Sequence, residues 1–415
     1  MKSILDETIE LSSDLISINS VNPTFGGIGE KEKSIYIKNK LEEYNKNYSI
    51  KNCEITEYNT VDSEGIERPN IVSKYDFGKN DTLTIISHMD IVPEGDLGLW
   101  NSDPFKAEIK DGIIYGRGSE DNHKGIVSSF LLLKMIFEEK IDPKYNLNLI
   151  FVADEEDGSK YGLSYLVNNF EDEIFSSKDL IIVPDFGMPE GEFIEIAEKN
   201  ILWLKFKITG KQCHGSVPEN GINADLIAFS FGKGLYDKLY GKYDGINPIF
   251  NPAFSTFEPT ILKNNIENIN TIPGYVELNF DCRIIPKYDP KEVLSDIENY
   301  IEVFKNEIEK HILHFDISEK ENISITYEIL KLEKAEETKK DSEVVKKLGS
   351  AIKNVLNKES VLCGMGGGTV AAFLREKGYN TAVWGIGDET AHQPNEHIKI
   401  ENLIKMAEVY LDILK

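Results

Sequence analysis

Leu83-Thr84-Ile85-Ile86-Ser87-His88-Met89-Asp90 runs from apolar residues into a histidine and an acid. The apolar part is typical of a buried strand, and residues two apart on a strand point to the same side. His88 and Asp90 can therefore act together. Because a metal-bound imidazole usually donates its other ring N–H to a carboxylate, the spacing predicts His88 as a metal ligand and Asp90 as the residue that orients it.

Two later apolar runs, residues 147–152 and 180–183, repeat this arrangement. Acids follow each run at once, among them Glu155, Glu156 and Asp185. From about residue 3 to 190, short strand-like runs alternate with helical stretches, which is the pattern of a sheet flanked by helices. Since ligands of open α/β sheets gather beyond the carboxyl ends of the strands, the acids and His88 are expected at one edge.

The pattern changes after residue 200 to alternating strands at 201–209, 275–285 and 323–330, with two helices at 224–240 and 290–312. This predicts a separate α+β unit inserted into the chain. His392 lies beyond the insert yet would have to meet His88. The sequence therefore predicts a discontinuous catalytic domain (1–199 and 331–415) with an inserted domain (200–330).

Composition excludes several classes of function. The 415 residues include 46 Lys+Arg and 71 Asp+Glu, a net charge of −25 that repels nucleic acid and anionic membranes. The longest apolar stretch, residues 130–137, is too short to span a bilayer, and no export signal is visible. The chain has four scattered cysteines: Cys53, Cys213, Cys282 and Cys363. Their spacing predicts neither disulfides nor a cysteine-ligated metal, so we expect a cytoplasmic protein.

Asp121 is the best candidate for a carboxylate shared by two metals. It lies in Gly116-Arg117-Gly118-Ser119-Glu120-Asp121-Asn122-His123-Lys124-Gly125, where glycines allow a tight turn before a helix. On spacing alone, capping that helix is an equal explanation. The neighbours Glu120 and His123 are more typical of supporting or surface residues.

The run Asp154-Glu155-Glu156-Asp157 is open to two interpretations. Four adjacent acids on a loop are usually solvated. However, adjacent side chains of an extended chain point in different directions, so one acid can bind metal while its neighbour faces the substrate. Metal-assisted hydrolysis needs such a ligand and a separate general base.

Asp185 and His392 are weaker candidates when each is taken alone. Asp185 follows Val183 and Pro184, where capping of a turn is an equal explanation. His392 follows the run 381–386 in a loop, and a loop histidine is usually uninvolved. Taken together, the candidates supply two histidines and four carboxylates.

The inserted unit adds His214, which could donate to a developing oxyanion or simply bond a turn, and Arg283, which could bind a carboxylate or pair with Asp281. His311 and His314 are expected to be solvated. The glycine-rich turn 364–368 lacks the lysine of a phosphate loop, although N–H groups of the following helix could hold a carboxylate.

These motifs resemble the co-catalytic zinc aminoacylase and carboxypeptidase family, which includes acetylornithine deacetylase, succinyl-diaminopimelate desuccinylase and the zinc dipeptidases. The resemblance is nearly full-length. It is carried by S-H-M-D-I-V-P, D-G-I-I-Y-G-R-G-S-E-D-N-H-K-G, D-E-E-D-G, H-G-S-V-P-E-N-G-I-N-A, N-T-I-P-G, G-G-G-T and A-H-Q-P-N-E. It implies an α/β fold: a helix-flanked mixed sheet of the zinc-peptidase type with an inserted α+β lid and dimerisation domain.

The resemblance also implies a role for each residue. One zinc would be held by His88, Asp121 and Asp185, and the other by Asp121, Glu156 and His392. Glu155 would be the general base, with a cis peptide after Asp121. The residues implied to contact substrate are His214, Asn270, Arg283, Gly367, Gly368 and Thr369. Co²⁺ or Mn²⁺ could replace zinc, and a homodimer through the inserted domain is expected.

The implied reaction is hydrolysis of an amide in a small N-acyl amino acid or short peptide with a free carboxylate, by a water that the zincs share. Two departures leave the substrate open. The deacylases usually have Glu at the position of Asp185, which favours a dipeptidase or carboxypeptidase, and Val370 replaces an acid often found there. The alternative of another class is a non-catalytic amino-acid- or peptide-binding protein.

Overall fold

The structure, a computed structural model, describes residues 2–308 and 323–415. The described chain divides into two compact units. The first contains Met1–Ile196, Glu337–Cys363 and Gly368–Lys415, and the second contains Ala197–Glu336 and Gly364–Gly367. The first unit is therefore formed by segments from both sides of the second. Sequence analysis put the junctions at 199/200 and 330/331, a few residues away.

Both units combine helices with strands. In chain order, the helices are α1 (Ile4–Ser17), α2 (Lys31–Asn47), α3 (His123–Glu138), α4 (Leu163–Ile174), α5 (Ala224–Lys242), α6 (Pro290–Asn306), α7 (Glu343–Leu356), α8 (Ala371–Glu376) and α9 (Ile400–Leu414). The strands are β1 (Cys53–Val61), β2 (Glu67–Tyr75), β3 (Thr82–His88), β4 (Glu108–Lys110), β5 (Ile113–Tyr115), β6 (Asn146–Val152), β7 (Leu180–Val183), β8 (Phe193–Glu198), β9 (Asn200–Thr209), β10 (Cys213–His214), β11 (Thr256–Asn264), β12 (Thr271–Ile272), β13 (Tyr275–Ile284), β14 (Ser324–Glu333), β15 (Val361–Met365), β16 (Thr381–Val383) and β17 (His397–Lys399).

The large sheet has the strand order β1-β2-β6-β3-β7-β16-β8-β15. Its centre is parallel, because β3 pairs in parallel with β6 and β7, and β7 with β16. Three further pairs are antiparallel: β1 with β2, β2 with β6, and β16 with β8. The sheet is thus mixed, as the resemblance implied. The four central strands end at one edge, so the segments that follow them, which carry the predicted acids and histidines, begin side by side.

Burial explains why the central strands and α3 form where they do. From Leu83 to His88, β3 is buried throughout, and β6 is buried from Leu147 onward. Parallel strands covered on both faces need such continuous apolar runs. The α3 helix is buried along nearly its whole length and packs against α9, whose own buried face includes Tyr410 and Leu414. The segments before and after the second unit therefore share one core.

The second unit is an antiparallel sheet of order β11-β13-β9-β14 covered by α5 and α6. Strands β9 and β13 alternate between buried and half-buried residues, which is the pattern of a sheet with one covered face. A short ribbon pairs β10 with β12. The predicted end of the second helix at Ile312 lies outside the described residues, as do His311 and His314.

Within the described ranges, no helix combines the length and the apolar character that crossing a membrane requires.

Candidate metal centre

His88 ends β3 with its ring fixed in one orientation. The ring Nδ1 lies 3.0 Å from the backbone carbonyl oxygen of Asp90. Because a carbonyl only accepts, Nδ1 donates its hydrogen to it, and Nε2 is the nitrogen that faces the carboxylates around it. Sequence analysis expected the Asp90 carboxylate in this role, but its nearer oxygen lies 3.5 Å from Nδ1. The carbonyl is therefore the closer partner of the ring.

The Asp90 carboxylate instead holds the acidic loop that follows β6. Its Oδ1 accepts the backbone N–H of Glu155 at 3.0 Å, and its Oδ2 accepts that of Glu156 at 3.0 Å. The side-chain amide of Asn22 donates to Oδ2 as well, at 2.8 Å. Asp90 is completely buried, so these donors compensate for the loss of solvation of its charge. One residue therefore fixes both a histidine and the loop of acids.

Asp121 lies between the two histidines. Its Oδ1 is 2.9 Å from Nε2 of His88, and its Oδ2 is 3.0 Å from Nε2 of His392. Asp185 approaches His88 Nε2 at 3.3 Å, and Glu156 approaches His392 Nε2 at 3.2 Å. The predicted cis peptide is present between Asp121 and Asn122. Each histidine thus faces one oxygen of a shared carboxylate and one further acid.

Two groups of side chains each bring their possible ligand atoms within 4.8 Å of one another. One group is His88 with Glu155 and Asp185, and the other is His88 with Asp121 and Glu156. Glu155, the predicted general base, is therefore as much a part of the cluster as the predicted ligands. Adjacent residues Glu155 and Glu156 both reach the cluster because Asp154 before them adopts a left-handed conformation (φ 63°) and starts a short 3₁₀ turn.

Electrostatics show that the cluster attracts positive charge. Burial and the neighbouring Asp185 raise the pKa of Glu155 well above its ordinary value. Burial and Asp121 raise the pKa of Glu156 to about 7. Hydrogen bonds to Asp121 and Glu156 raise the pKa of His392 to about 10. The part of these pKa shifts that comes from neighbouring carboxylates reflects a negative potential in the cluster, which suits a bound cation.

The cluster also contains atoms that could bind a divalent metal, one of which has no other bonding partner among the described residues. Oε1 of Glu156 is buried and has no hydrogen-bond partner among the described residues. Nε2 of His88 faces the carboxylates of Asp121 and Asp185, and a cation held between them could take the lone pair of this nitrogen. Imidazole nitrogen and carboxylate oxygen are ligands that zinc accepts in catalytic sites.

The residues that hold the acidic loop 154–157 through hydrogen bonds to Asp154 were not predicted from the sequence. Arg68 in β2 donates to Oδ1 of Asp154 at 2.8 Å and pairs with Glu30 through two bonds of 2.7 and 3.0 Å. Asn22 joins Asp154 to Asp90 through its side-chain amide. Arg68 lies in a strand of mixed polar and apolar residues (Glu67–Tyr75), so the local pattern carried no signal for this network.

The other predicted site residues belong to the second unit or follow its short segment. Nδ1 of His214 accepts the backbone N–H of Ser216 at 3.1 Å, so its Nε2 is the nitrogen free to donate. The side chain of Asn270 accepts from Asn268, and its backbone oxygen accepts the N–H of Gly215 at 2.7 Å, which joins the His214 and Asn270 segments.

Arg283 donates to Asp281 at 2.8 Å and to the carbonyl oxygen of Gly366 at 2.9 Å. The ion pair considered from the sequence is therefore formed, yet the guanidinium also anchors the glycine-rich turn. Thr369, at the end of that turn, is buried and caps the N–H of Ala371 at 3.2 Å. Contact of substrate with Arg283, Asn270, His214, Gly367, Gly368 or Thr369 stays a prediction.

The mixed sheet, the inserted unit and the histidine–carboxylate cluster at the strand ends define a metallohydrolase. The chain belongs to peptidase family M20/M25/M40, whose sequence model matches residues 84–415. This confirms the family resemblance derived from the motifs. The protein is therefore an enzyme of the metal-dependent class that hydrolyses amide bonds.

Three similar proteins illustrate the range of this family. An uncharacterized metallohydrolase of Methanocaldococcus jannaschii is 66% identical over 412 residues, covering 99% of this chain and 100% of the relative. A succinyl-diaminopimelate desuccinylase of Nautilia profundicola is 27% identical over 415 residues, covering 98% of each. The crystal structure of the aminopeptidase PepT of Bacillus cereus superposes with a TM-score of 0.74 at 20% identity, covering 99% of this chain and 98% of that one.

Proposed function

We propose that the enzyme hydrolyses the amide bond of a small N-acyl amino acid or short peptide that bears a free carboxylate. The observation that carries this proposal is the position of Asp121, with one oxygen 2.9 Å from His88 and the other 3.0 Å from His392. A carboxylate placed in this way can be shared by two cations. We propose zinc for both, with Co²⁺ or Mn²⁺ as possible replacements.

In the proposed mechanism, His88, Asp121 and Asp185 would hold one cation, and Asp121, Glu156 and His392 would hold the other. Bound cations would supply polarisation of the scissile carbonyl and a more acidic water. Glu155 takes the proton from the attacking water and returns it to the leaving amine. Burial supports this role, because a carboxylate whose pKa is raised accepts a proton more readily.

The second unit would supply the groups that recognise the substrate. Nε2 of His214 donates to the oxyanion that forms during attack, while Nδ1 is already occupied by the N–H of Ser216. The guanidinium of Arg283, together with Asn270 and the turn of Gly367, Gly368 and Thr369, holds the free carboxylate. Binding this carboxylate places the amide carbonyl for attack.

A dipeptidase or carboxypeptidase is the second candidate, favoured by the short acid Asp185 where the deacylases usually have Glu. The two candidates predict different substrates. One similar protein is a succinyl-diaminopimelate desuccinylase, so the first candidate predicts turnover of N-succinyl or N-acetyl amino acids. The second predicts turnover of dipeptides.

The test is a substrate panel with the zinc-, cobalt- and manganese-loaded enzyme. N-acetyl and N-succinyl amino acids are assayed beside dipeptides, each matched with its methyl ester as the control for carboxylate recognition. We expect one acid series to be cleaved, with kcat/KM at least about tenfold above that of the esters, because a charged hydrogen bond is lost in the ester. Absence of turnover for all compounds with every metal would overturn the proposed substrate class.

A further inference from the structure

The loop that carries His392 has an unusual backbone. Glu389, His392 and Asn395 all adopt left-handed conformations, with φ of 60°, 63° and 60°. Residues with a Cβ rarely adopt this conformation because Cβ approaches the following carbonyl oxygen. Three such residues within one short loop are stable only if contacts from elsewhere hold them. The structure shows which contacts these are.

Glu120 holds the start of this loop. Its side chain is almost completely buried. One carboxylate oxygen accepts the backbone N–H of Glu389 at 2.9 Å, and the other accepts the N–H and the hydroxyl of Thr390 at 2.6 and 2.5 Å. Gly387 leaves room for this carboxylate, because a Cβ there would lie 2.3 Å from it. A buried acid with this many donors is a fixed anchor for the loop.

Glu396 makes the reciprocal connection from the end of the same loop. One of its oxygens accepts the backbone N–H of Glu120 at 2.9 Å and of Asp121 at 3.0 Å. The other accepts the N–H of Gly118 at 3.0 Å and a guanidinium N–H of Arg117 at 2.6 Å. Each loop therefore contributes one buried glutamate that binds the backbone of the other loop.

We propose that Glu120 and Glu396 are positioning residues that set the distance between Asp121 and His392, and that Glu120 thereby controls the affinity of one of the two cation sites. This inference rests on the two-cation centre of the proposed function. Neither glutamate belongs to the clusters of possible ligands. Glu120 bonds the backbone near His392, whereas His88 and Asp185 come from the ends of β3 and β7. Asp121 belongs to both proposed sites, but only one of them also needs His392, so that site depends on Glu120 more strongly than the other.

The test is calorimetric titration of the metal-free full-length protein with Zn²⁺, comparing wild type with Glu120→Gln. Glutamine has the same shape, but its amide places a donor against donors of Glu389 or Thr390. We expect wild type to bind two cations. In the variant, one site should weaken at least about tenfold, the typical effect of losing a residue that supports ligands, while the other stays within about twofold. Titration with Co²⁺ followed by visible absorption should show the same loss in the second equivalent only.

Glu195→Gln is the matched control, because Glu195 is equally buried and accepts from Nη1 and Nη2 of Arg375, each at 3.0 Å, and neither residue lies in these loops. It should leave both cation affinities unchanged. Thr390→Val, which removes one hydroxyl from the Glu120 carboxylate, is a milder second variant in case Glu120→Gln does not fold, and it should weaken the same site.

The outcomes separate this inference from the proposed function. If the wild-type protein binds fewer than two cations, the two-cation centre of the proposed function and the role of Glu120 are both overturned. Wild type that binds two, with variants that keep both affinities or lose both equally, overturns the role of Glu120 alone. Selective weakening of one site, with Glu195→Gln unchanged, supports it.

Discussion

Asp90 shows how much one buried carboxylate can organise. Its carbonyl oxygen fixes the imidazole of His88, and its carboxylate binds the backbone of Glu155 and Glu156. A change at Asp90 would therefore disturb the predicted base as well as the predicted ligands. The spacing predicted that the Asp90 carboxylate orients His88, but the backbone carbonyl of Asp90 is the closer partner of the ring. The hold on the acidic loop could not be predicted, because it depends on where β6 lies beside β3.

Glu155→Gln should lower kcat by about 10²- to 10⁴-fold, the usual contribution of a general base, while cation binding stays near the wild-type level. Glutamine keeps the shape of the side chain but cannot accept the proton. Steady-state kinetics together with metal analysis of the purified variant checks this. Asp157→Asn is the control, because Asp157 is an exposed acid of the same loop bonded to Thr24. A variant at 155 that retains full activity would remove the base assignment.

Asp179 should make the protein less stable as pH rises from about 4 to 6. Burial, against a backbone hydrogen bond from Ser176, raises the pKa of Asp179 from 3.8 to about 6. The folded state then holds the proton more tightly than the unfolded state in this interval, so unfolding becomes easier as the proton is lost. Asp179→Asn should raise the unfolding free energy at pH 7 by about 1–2 kcal/mol.

Urea unfolding of wild type and Asp179→Asn between pH 4 and 7 measures this difference. The control is Asp142→Asn, because the Asp142 side chain is 88% exposed and its pair with Lys79 is solvated. An Asp179→Asn protein that is no more stable than wild type at pH 7 would contradict the prediction.

At the scale of elements, Arg68 joins strand β2 to the loop after β6. Its guanidinium lies between the carboxylates of Glu30 and Asp154, and all three side chains are buried. Asp154 leads directly into Glu155. The stability of the sheet and the position of the predicted base therefore depend on the same ion-pair network.

Arg68→Met should lower the free energy of unfolding by about 3–5 kcal/mol, since it leaves two buried carboxylates without their counter-charge. Urea denaturation measures this. Lys38→Met is the matched control, because Lys38 and Glu57 form a half-exposed pair whose loss should cost no more than about 1 kcal/mol. Equal effects of the two substitutions would show that the Arg68 network adds nothing specific.

The strand ends were predictable because apolar runs give direct local signals. Residues 180–183 were expected as a strand and form β7, and the expected helix at 224–240 is α5 with two more residues. The acids after these strands could then be placed at one edge by the rule for parallel sheets. Strands that are buried along their whole length can be predicted from the local sequence alone, without knowing which distant residues pack against them.

Glu120 shows what local signals cannot give. From the sequence it was expected to support the site or lie at the surface; it is buried and binds the backbone of Thr390, a partner that the local pattern does not indicate. Its partners lie some 270 positions further along the chain. The same holds for Glu396. Which acid binds metal and which binds backbone is decided by the loops that tertiary packing brings together.

For the whole molecule, the homodimer through the inserted unit stays a prediction. The second unit exposes large apolar side chains on neighbouring elements: Leu226 and Phe229 on α5, and Ile261 and Leu262 on the edge strand β11. Exposed apolar groups on an edge strand are typical of a pairing surface.

Analytical ultracentrifugation should therefore give twice the chain mass of 47.0 kDa. The double change Phe229→Asp with Ile261→Asp should give the monomer, because it places charge in an apolar interface. Ile109→Asp is the control, since Ile109 is similarly exposed but lies on β4 of the first unit. A wild-type protein that sediments as a monomer would contradict the prediction.

The division of the first unit between the two ends of the chain has a consequence for biosynthesis. Except for Gly364–Gly367, the second unit is one continuous segment, so it can fold while translation is still in progress. The first unit cannot, because α3 stays uncovered until α9, the last helix, leaves the ribosome. A message truncated shortly before codon 392 would therefore yield a well-folded insert and no competent hydrolase.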